Sequence, residues 1–548
     1  MKADVKKILI INLTRMGDII QTIPMIHGLQ QKYPHAKIDV LTIKAFSKIL
    51  EHASHINKLI TLDDKKLVTN IYRNFSEAYL KKKKKINYLN SRKYDLLINP
   101  VVSRQSSLLG YLIKAKTKKG IFFNEDREQT IKSIWSSYHL ANEHHLGDHS
   151  FNLVDIFTHI GELETKPNLF YLNEKTERKE NIEKLWKDKK LFHNKVVGFH
   201  IGASRSNKAW EPIKFKNVIN KLLETTNFKI ILFGGYKEKE LNSIFKEINS
   251  EKFINLIGKT NLSELISAIN KIDLFVTNDT GPMHIATAMN TKILDISLGP
   301  VSVWETGPYK KGSIVLEAKI DCHPCAFTHK CQHLNCHKYI TENSVYNAIK
   351  HLLQDAPLEL NNEINYWKAS ECPFGLQHFI PLKKRMIQRR ELFFEIKRAV
   401  WAISIQSNLK RGLNWPQKYS DYIKKHYEVK HHNFEKDLEK IQGLIKKANE
   451  MLNLYTELSR LDLNQKKSID RIRAKWKVID STKKILFGKA QQFNEIYDLF
   501  LFSKFRESNL NSEDFVTLIK QTKMIYSELV LQLHVQKKLL NFFHKKEN

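Results

Sequence analysis

The sequence lacks any run of about 18 apolar residues, the length that a helix needs to cross a bilayer. Its one early apolar run, Ile8–Ile11, is too short for a secretory signal and is not followed by a small-residue cleavage site. Cysteine is scarce: of five in 548 residues, four lie between Cys322 and Cys336, which excludes a disulfide framework spread over a secreted protein. We therefore expect a soluble, cytoplasmic protein.

Acidic residues are also too few to balance the basic ones. Lys and Arg total 90 against 58 Asp and Glu, a formal net charge of +32. With 42% hydrophobic residues, large cores are expected and wholesale disorder is excluded. The length suggests three or four domains. The charge predicts an anionic partner and leaves nucleic acid, phosphorylated lipid and acidic glycan open.

Two series of short β-rich runs alternate with helical patterns over roughly the first 355 residues, with a change-over near 165–190. Such alternation predicts parallel sheets built from βαβ units, hence an α/β fold with two doubly wound, Rossmann-like domains at 1–175 and 176–355. Ligands bind such sheets at the carboxyl ends of the strands, so the loops that follow the strands are the places to look. The expected strands lie at 7–13, 37–42, 94–99, 195–200, 229–233, 273–277 and 291–295.

The last third of the chain is different. Pro416 is the only proline after Pro381, and apolar residues from Leu438 to Leu458 follow the 3–4 spacing of an amphipathic helix. We predict a linker at 356–380 and an all-α domain at 381–548, which has 35 Lys and Arg against 19 Asp and Glu. The spacing favours a self-packed bundle, while membrane docking, oligomerisation and acceptor recognition stay open.

Two loops that follow strands carry the strongest chemical signals. Gly17 permits a tight strand-to-helix turn, and Asp18 could act there as a general base or simply cap the helix. The stretch from Asn278 to His284 places a proline just inside a helix start, where its missing N–H costs nothing. Free N–H groups at that helix start would suit a diphosphate; the alternative is an ordinary capped helix with a core histidine.

Two further loops are weaker candidates. Small residues, hydroxyls and the cations Arg205 and Lys208 follow the strand that ends at His200 and form a second phosphate cradle. After the strand at 229–233, Gly234 and Gly235 precede Glu238, a spacing that could set a carboxylate on a ribose.

Together these stretches resemble glycosyltransferase family 9, the heptosyltransferases of bacterial lipopolysaccharide assembly. The resemblance covers about residues 5–355 and leaves out the helical tail. Some members carry a second hydroxyl where this sequence has Ala203. The matching segments are ILIINLTRMGDIIQTIPMIHGLQQKYPHAKIDVLT (8–42), VVGFHIGASRSNKAWEPIKF (196–215), ILFGGYKEKE (231–240) and DLFVTNDTGPMHIATAMNTKILDISLGP (273–300).

The resemblance implies a GT-B fold in which the amino-terminal domain holds the acceptor and the second domain holds a nucleotide-heptose, typically ADP-heptose. It implies inversion at the sugar carbon without a catalytic metal. Asp18 would be the general base, Ser204 and Lys208 would contact phosphate, and Glu238 would contact the ribose. The donor sugar and diphosphate would be bound by four residues of the later motif: Asp279, Thr280, Gly281 and His284.

A cysteine cluster lies near the end of the second domain. Cys322, Cys325, Cys331 and Cys336, with histidines interleaved, could form a tetrahedral site for a structural zinc or iron. A similar cluster binds iron in a subset of the same family, including heptosyltransferases that modify autotransporter proteins. Four reduced thiols without a metal are the alternative.

We therefore expect an inverting glycosyltransferase that transfers heptose to lipopolysaccharide core or another anionic glycan, in cell-envelope biosynthesis. Protein O-heptosylation is an alternative, and an inactive GT-B scaffold that acts through its basic tail is another. The run Lys81–Lys85 would be attracted to core phosphates or to the cytoplasmic face of the inner membrane, or would simply be a solvated helix end. We do not expect a nucleic-acid partner, because no recognised motif or aromatic platform accompanies the charge.

Overall fold

The computed structural model describes ten segments of the chain and divides it into two units. An α/β unit contains 1–132 and 151–382, and a helical unit contains 133–150 and 383–548. Within the described residues, no helix is both long and apolar enough to cross a membrane. The described segments are 5–63, 75–126, 128–142, 149–325, 331–406, 414–430, 432–461, 466–493, 495–510 and 514–544.

A six-stranded sheet forms the first half of the α/β unit. Its strand order is β3-β2-β1-β4-β5-β6, parallel except for β6, which runs antiparallel to β5. The strands are β1 (Lys7–Asn12), β2 (Lys37–Ile43), β3 (Ile56–Leu62), β4 (Tyr94–Asn99), β5 (Ala115–Phe123) and β6 (Gln129–Ile131). The helices of this part of the chain are α1 (Met16–Gln21), α2 (Ile23–Lys32), α3 (Phe75–Ser91), α4 (Arg104–Leu112), α5 (Ile134–Asn142) and α6 (Leu153–Ile160).

An eight-stranded sheet forms the second half, in the order β14-β13-β12-β11-β10-β7-β8-β9. The strands are β7 (Val196–His200), β8 (Lys229–Phe233), β9 (Phe253–Asn255), β10 (Leu274–Asn278), β11 (Lys292–Ser297), β12 (Ile314–Ala318), β13 (Ile364–Glu371) and β14 (Gln377–Pro381). The helices are α7 (Thr176–Asp188), α8 (Pro212–Thr225), α9 (Asn242–Phe245), α10 (Leu262–Lys271), α11 (Gly281–Ala288), α12 (Val303–Thr306), α13 (Asn335–Tyr339) and α14 (Glu342–Gln354).

The central strands of both sheets are apolar and fully buried, as parallel strands covered on both faces must be. Every residue of β7 and β10 is buried, and so are five of the six residues of β1. The doubly wound α/β prediction is confirmed, and the strands are in the expected order along the chain. Because both sheets are largely parallel, the loops after β1, β7 and β10 lie at carboxyl edges, where ligands bind.

The structure differs from the predicted domain limits in two places. Residues 356–380, predicted as a linker, contain β13 and most of β14, which extend the second sheet as an antiparallel pair beside β12. The linker prediction is therefore wrong, because the apolar residues of 364–381 bury themselves on the sheet. Residues 133–150, predicted as part of the amino-terminal domain, group with the helical unit.

Where the structure describes it, the helical unit is all-α apart from a short parallel pair, β15 (Arg385–Met386) and β16 (Tyr427–Glu428). Its long helices bury one apolar side each; α17, for example, buries Ile441, Leu444, Ile445 and Met451 at the predicted spacing. Besides α5, its helices are α15 (Arg389–Ile405), α16 (Trp415–His426), α17 (Glu435–Leu458), α18 (Lys466–Gln491), α19 (Tyr497–Ser508) and α20 (Phe515–Asn541).

Candidate functional site

Asp18 lies on α1, just beyond the carboxyl end of β1. The helix begins after Arg15, whose backbone is extended, with φ −81° and ψ 168°. The main-chain carbonyl of Asp18 accepts hydrogen bonds from Asn12 Nδ2 at 3.2 Å and from Thr22 Oγ1 at 2.9 Å. These contacts fix the short helix to the end of the strand and leave the carboxyl group half-buried.

Burial raises the pKa of Asp18, and the negative charge of Asp279 raises it further. Hydrogen bonds from the Thr14 hydroxyl and the Arg15 N–H stabilise the ionised form and oppose this rise in pKa. The Asp18 carboxylate accepts the N–H of Arg15, the N-cap residue of α1, and so helps to cap the helix. This contact does not prevent the same carboxylate from accepting a proton. A carboxylate with a raised pKa is a stronger base than an ordinary aspartate.

Asn278 ties together two loops at the carboxyl edge of the second sheet. Its Oδ1 accepts the N–H of Trp210 at 3.0 Å, and its Nδ2 donates to the carbonyls of Ile201 at 3.3 Å and Gly202 at 3.2 Å. The side chain is fully buried. Asn278 thus fixes the end of β10 to the loop after β7, and this positions the next residue, Asp279.

Each carboxylate oxygen of Asp279 faces one partner. Lys208 Nζ lies 3.7 Å from Oδ1, and Thr306 Oγ1 donates to Oδ2 at 2.5 Å. Asp279 is buried, and the Lys208 side chain is nearly so. Lys208, predicted to contact a phosphate, is therefore already placed beside the predicted donor-binding aspartate.

The start of α11 provides fewer free donors than the sequence suggested. Thr280 is the N-cap residue, and its hydroxyl donates to the carbonyl of Asn278 at 3.2 Å. Pro282 has no N–H, and the N–H of Met283 donates to the carbonyl of Thr280 at 3.0 Å. A diphosphate at this end would therefore depend on Gly281, on Thr280 and on nearby cations more than on a row of free N–H groups.

His284, in the first turn of α11, connects the two halves of the α/β unit. Its ring lies against Gly17 of α1: a Cβ placed on Gly17 would be 3.0 Å from Cδ2 and 3.2 Å from Nε2. Burial lowers the pKa of His284 to about 4, so the imidazole is neutral at physiological pH. Its Nδ1 is buried and has no hydrogen-bond partner in the described part of the chain. The structure thus brings the two strongest sequence motifs into direct contact.

Two carboxyl groups that the sequence analysis did not select belong to the same electrostatic group. Burial raises the pKa of Glu305 to about 7, the charges of Asp18 and Asp279 add to this, and Lys208 opposes them. Asp295, on β11, has its pKa raised well above the ordinary value by burial and then by Asp279. Both residues lie on the carboxyl side of β11: Asp295 is near the end of the strand, and Glu305 is in α12, the short helix that follows it.

Ser204 and Glu238 lie on the neighbouring loops, after β7 and β8. Ser204 is exposed in the loop after β7. Glu238 accepts the N–H of Gly235 at 2.7 Å and caps the short helix that follows β8. Its carboxyl group also borders Gly202, since a Cβ on that glycine would lie 3.1 Å from Oε1. Their roles toward a phosphate and a ribose stay predictions.

The four clustered cysteines show mixed exposure. Cys325 and Cys336 are buried, Cys331 is half-buried and Cys322 is exposed. Burial raises the pKa of Cys325 to about 11, and the other three thiols add to the effect, so the four are near one another. Residues 326–330 lie outside the described part of the chain. Among the described residues, no three His, Cys, Asp or Glu side chains are arranged to hold a metal ion, so the metal site stays a prediction.

The cysteine segment also borders the donor-side loops. The N–H of Cys325 donates to the carbonyl of Gly299 at 3.1 Å, and His337 Nε2 lies 3.1 Å from the carbonyl oxygen of Asn207. Gly299 has φ +66°, and a Cβ there would collide with Asn207. The segment therefore packs beside the turn that carries Lys208.

Comparison with known proteins shows which family the chain resembles. Residues 83–336 match the model of glycosyltransferase family 9 (heptosyltransferase), a range that includes Lys208 and His284 and leaves out Asp18. Lipooligosaccharide heptosyltransferase 2 of Campylobacter jejuni is 34% identical over 165 residues, which is 29% of this chain and 51% of that protein. The chain thus spans about half the length of that relative. Lipopolysaccharide heptosyltransferase 3 of Escherichia coli is 27% identical over 289 residues, 51% of this chain and 80% of that one.

A solved structure supports the fold. The glycosyl transferase family 9 protein of Veillonella parvula superposes with a TM-score of 0.52 at 22% identity, over 65% of this chain and 99% of that chain. The likeness extends over the two-sheet α/β architecture and confirms the predicted GT-B fold. Together with the match over 83–336, it makes the chain similar in sequence and in fold to glycosyltransferase family 9, the heptosyltransferase family.

Proposed function

We propose that this chain transfers a heptose, with inversion, from a nucleotide-heptose to a lipopolysaccharide core acceptor, and that the donor is ADP-heptose. The observation that carries the proposal is the juxtaposition of Asp18 with Asp279 and His284. A base candidate on the first sheet faces the donor-binding motif of the second across a contact between α1 and α11. The similarity of residues 83–336 to the heptosyltransferase family model supports a heptose as the sugar.

In the proposed reaction, Asp18 accepts the proton of an acceptor hydroxyl as its oxygen attacks the anomeric carbon of the sugar. The bond from that carbon to the diphosphate oxygen breaks as the new glycosidic bond forms on the opposite face. The raised pKa of Asp18 suits it to this role. Lys208 would shift from Asp279 toward the departing diphosphate and stabilise its negative charge.

The neutral imidazole of His284 supports the donor side. With its pKa lowered to about 4 by burial, it presents one N–H donor and adds no charge. Asp279 would accept hydroxyl hydrogen bonds from the sugar, held in place by Thr306. The cysteine cluster takes no part in these steps; a metal bound there would stabilise the segment beside the turn that carries Lys208.

Calorimetric titration of the full chain with ADP-heptose, ADP, UDP-glucose and GDP-mannose tests the donor. We expect ADP-heptose and ADP to bind and the other two not to, and Asp279→Asn to weaken ADP-heptose more than ADP. Transfer to purified core oligosaccharide and to unmodified polypeptide then tests the acceptor. Binding of a different nucleotide sugar would replace the donor, transfer to polypeptide would replace the acceptor, and no nucleotide binding would favour a scaffold.

A further inference from the structure

Two neighbouring helices of the first sheet leave a concentration of large apolar side chains in solvent. Scattered exposed hydrophobic residues are normal on soluble proteins, whereas a cluster marks an interaction surface. Leu80 on α3 is 61% exposed and Leu108 on α4 is 46% exposed. We call the surface formed by the exposed residues of these helices the α3–α4 face; its large apolar members are Tyr79, Leu80, Leu108, Tyr111 and Leu112.

The two helices lie side by side. Asn90, near the end of α3, donates through Nδ2 to the carbonyl of Leu112 at 3.3 Å and accepts the N–H of Lys114 at 2.7 Å. Leu89 and Leu109, one from each helix, pack on the same apolar core. The side chains opposite that core therefore point to one common exterior surface.

This face is strongly basic. Glu77 is the one acidic residue in the two helices, and it pairs with Lys81 at 2.5 Å. Lys83 and Lys84 are exposed on the same side of α3 as Leu80 and form no ion pair with the described residues. The Lys83 ammonium lies 5.9 Å from the ring centre of Tyr79. Arg104 adds a cation at the start of α4. A cationic surface that also presents leucine and tyrosine matches an anionic lipid interface, where the lysines meet phosphates and the apolar side chains enter the headgroup layer.

The position of the face is also suitable. Because β4 and its neighbours are parallel, α4 begins at the carboxyl edge of the sheet, the edge at which Asp18 lies. The face extends from this edge, where Leu80 and Arg104 lie in the first two turns of their helices, to Tyr111 at the end of α4. A lipid surface along it would reach the side of the sheet assigned to the acceptor.

We propose that the α3–α4 face docks on an anionic lipid bilayer, with Leu80, Leu108 and Tyr111 in the headgroup layer and Lys83 and Lys84 against lipid phosphates. Docking itself does not depend on the reaction. Its use in presenting a lipid-anchored acceptor to Asp18 rests on the function proposed above.

Co-sedimentation of the full chain with vesicles tests the docking. We expect vesicles containing about one-third phosphatidylglycerol to bind at least roughly tenfold more tightly than pure phosphatidylcholine, and added salt to weaken that binding. K83Q/K84Q should lose most of the salt dependence. L108S/Y111S should reduce vesicle affinity by roughly tenfold and keep the salt dependence of what remains.

Helix α18 provides the matched control, because it also presents lysines beside exposed apolar residues such as Ile485. The control variant K477Q/K484Q changes two of its exposed lysines and should bind vesicles like the unmodified chain.

The proposal is overturned if the unmodified chain does not bind anionic vesicles, or if the α18 variant loses binding and the α3–α4 variants do not. A change of oligomeric state in L108S/Y111S without loss of vesicle binding would assign the face to a second copy and also overturn it. Thermal unfolding of each variant shows whether it is folded. Vesicle binding by a chain that binds no nucleotide would reject only the proposed function.

Discussion

The imidazole of His284 occupies the space that a side chain at residue 17 would need. A Cβ on Gly17 would be 3.0 Å from one ring atom of His284, closer than almost all real contacts of that kind. The same two helices show the reverse arrangement as well: a Cβ on Gly281 of α11 would collide with the methyl group of Met16 of α1. Each glycine leaves room for a side chain of the opposite helix, so α1 and α11 approach closely. At this distance the charge of Asp279 raises the pKa of Asp18.

Gly17→Ala should reduce kcat/KM for heptose transfer by about tenfold or more, because the added methyl pushes the imidazole away. The effect should be non-additive with His284→Ala, with a coupling free energy of about 0.5–3 kcal/mol from the four kcat/KM values of the cycle. Gly443→Ala is the control, since a Cβ on that helical glycine meets nothing within 4 Å. Additive losses in the cycle would show that the two residues act separately.

Asp18→Asn should lower kcat for heptose transfer by roughly 10²–10⁴, the usual contribution of a general base, because the amide cannot accept the hydroxyl proton. Affinity for ADP-heptose should change little, since Asp18 lies on the acceptor side. Single-turnover rates and calorimetry of the same preparation measure the two effects, with the exposed Asp188→Asn as the control. Transfer at the normal rate in Asp18→Asn would remove Asp18 from the base role.

Thr306→Val should weaken ADP-heptose binding by about 1.5–3 kcal/mol, the value of a hydrogen bond to a charged group, because Asp279 loses the donor on Oδ2. Thr306→Ser keeps the hydroxyl and should bind nearly as well as the unmodified chain. Calorimetry measures the dissociation constant of ADP-heptose for both variants. Equal affinities in the valine and serine variants would mean that the hydroxyl does not position Asp279.

Glu305 should make folding sensitive to pH. Its pKa rises from 4.5 to about 7 on folding, so its contribution to stability is fully present below pH 4.5 and is lost as the pH rises through 7. Glu305→Gln stays neutral, so its melting temperature minus that of the unmodified chain should increase between pH 4.5 and pH 8. Thermal unfolding at several pH values measures this, and the exposed Glu251→Gln should show a constant difference. A constant difference for Glu305→Gln as well would contradict the prediction.

The cysteine cluster should retain metal. Elemental analysis of protein purified without chelator should find about one zinc or iron per chain, since four thiolates satisfy a tetrahedral site. Cys336→Ser should lower the metal content, whereas Cys372→Ser, a buried cysteine outside the cluster, should not. Metal-free protein that reacts with a thiol reagent at all four positions after unfolding would support free thiols instead.

The site was predictable where it follows directly from a motif at a strand end. Asp18 and Asp279 were both selected in this way, and the structure places them within electrostatic reach. Glu305 and Thr306 were not selected, because nothing in their local sequence marks them. They reach Asp279 through the order in which β11 and β10 pair, and pairing order is a property of the whole sheet.

The same limit explains the missed strands of 356–380. Residues 364–371 read INYWKASE, a short run with mixed polarity that predicts little by itself. It becomes a strand because Trp367 and its neighbours pair with β12, whose free edge they cover. Long helices such as α17 were predicted well, since their apolar spacing is repeated over many turns.

The helical unit is assembled from two passages of the chain, and this governs the order in which it can form during synthesis. Helix α5 is buried from Trp135 to Asn142, and the ring of Tyr138 packs 5.0 Å from that of Trp401. At ordinary elongation rates the partner leaves the ribosome on the order of tens of seconds after the helix does. A nascent chain must therefore shield α5 until its carboxyl-terminal third arrives. Proteins truncated just after β14 should aggregate through α5, even though both sheets of the α/β unit are complete.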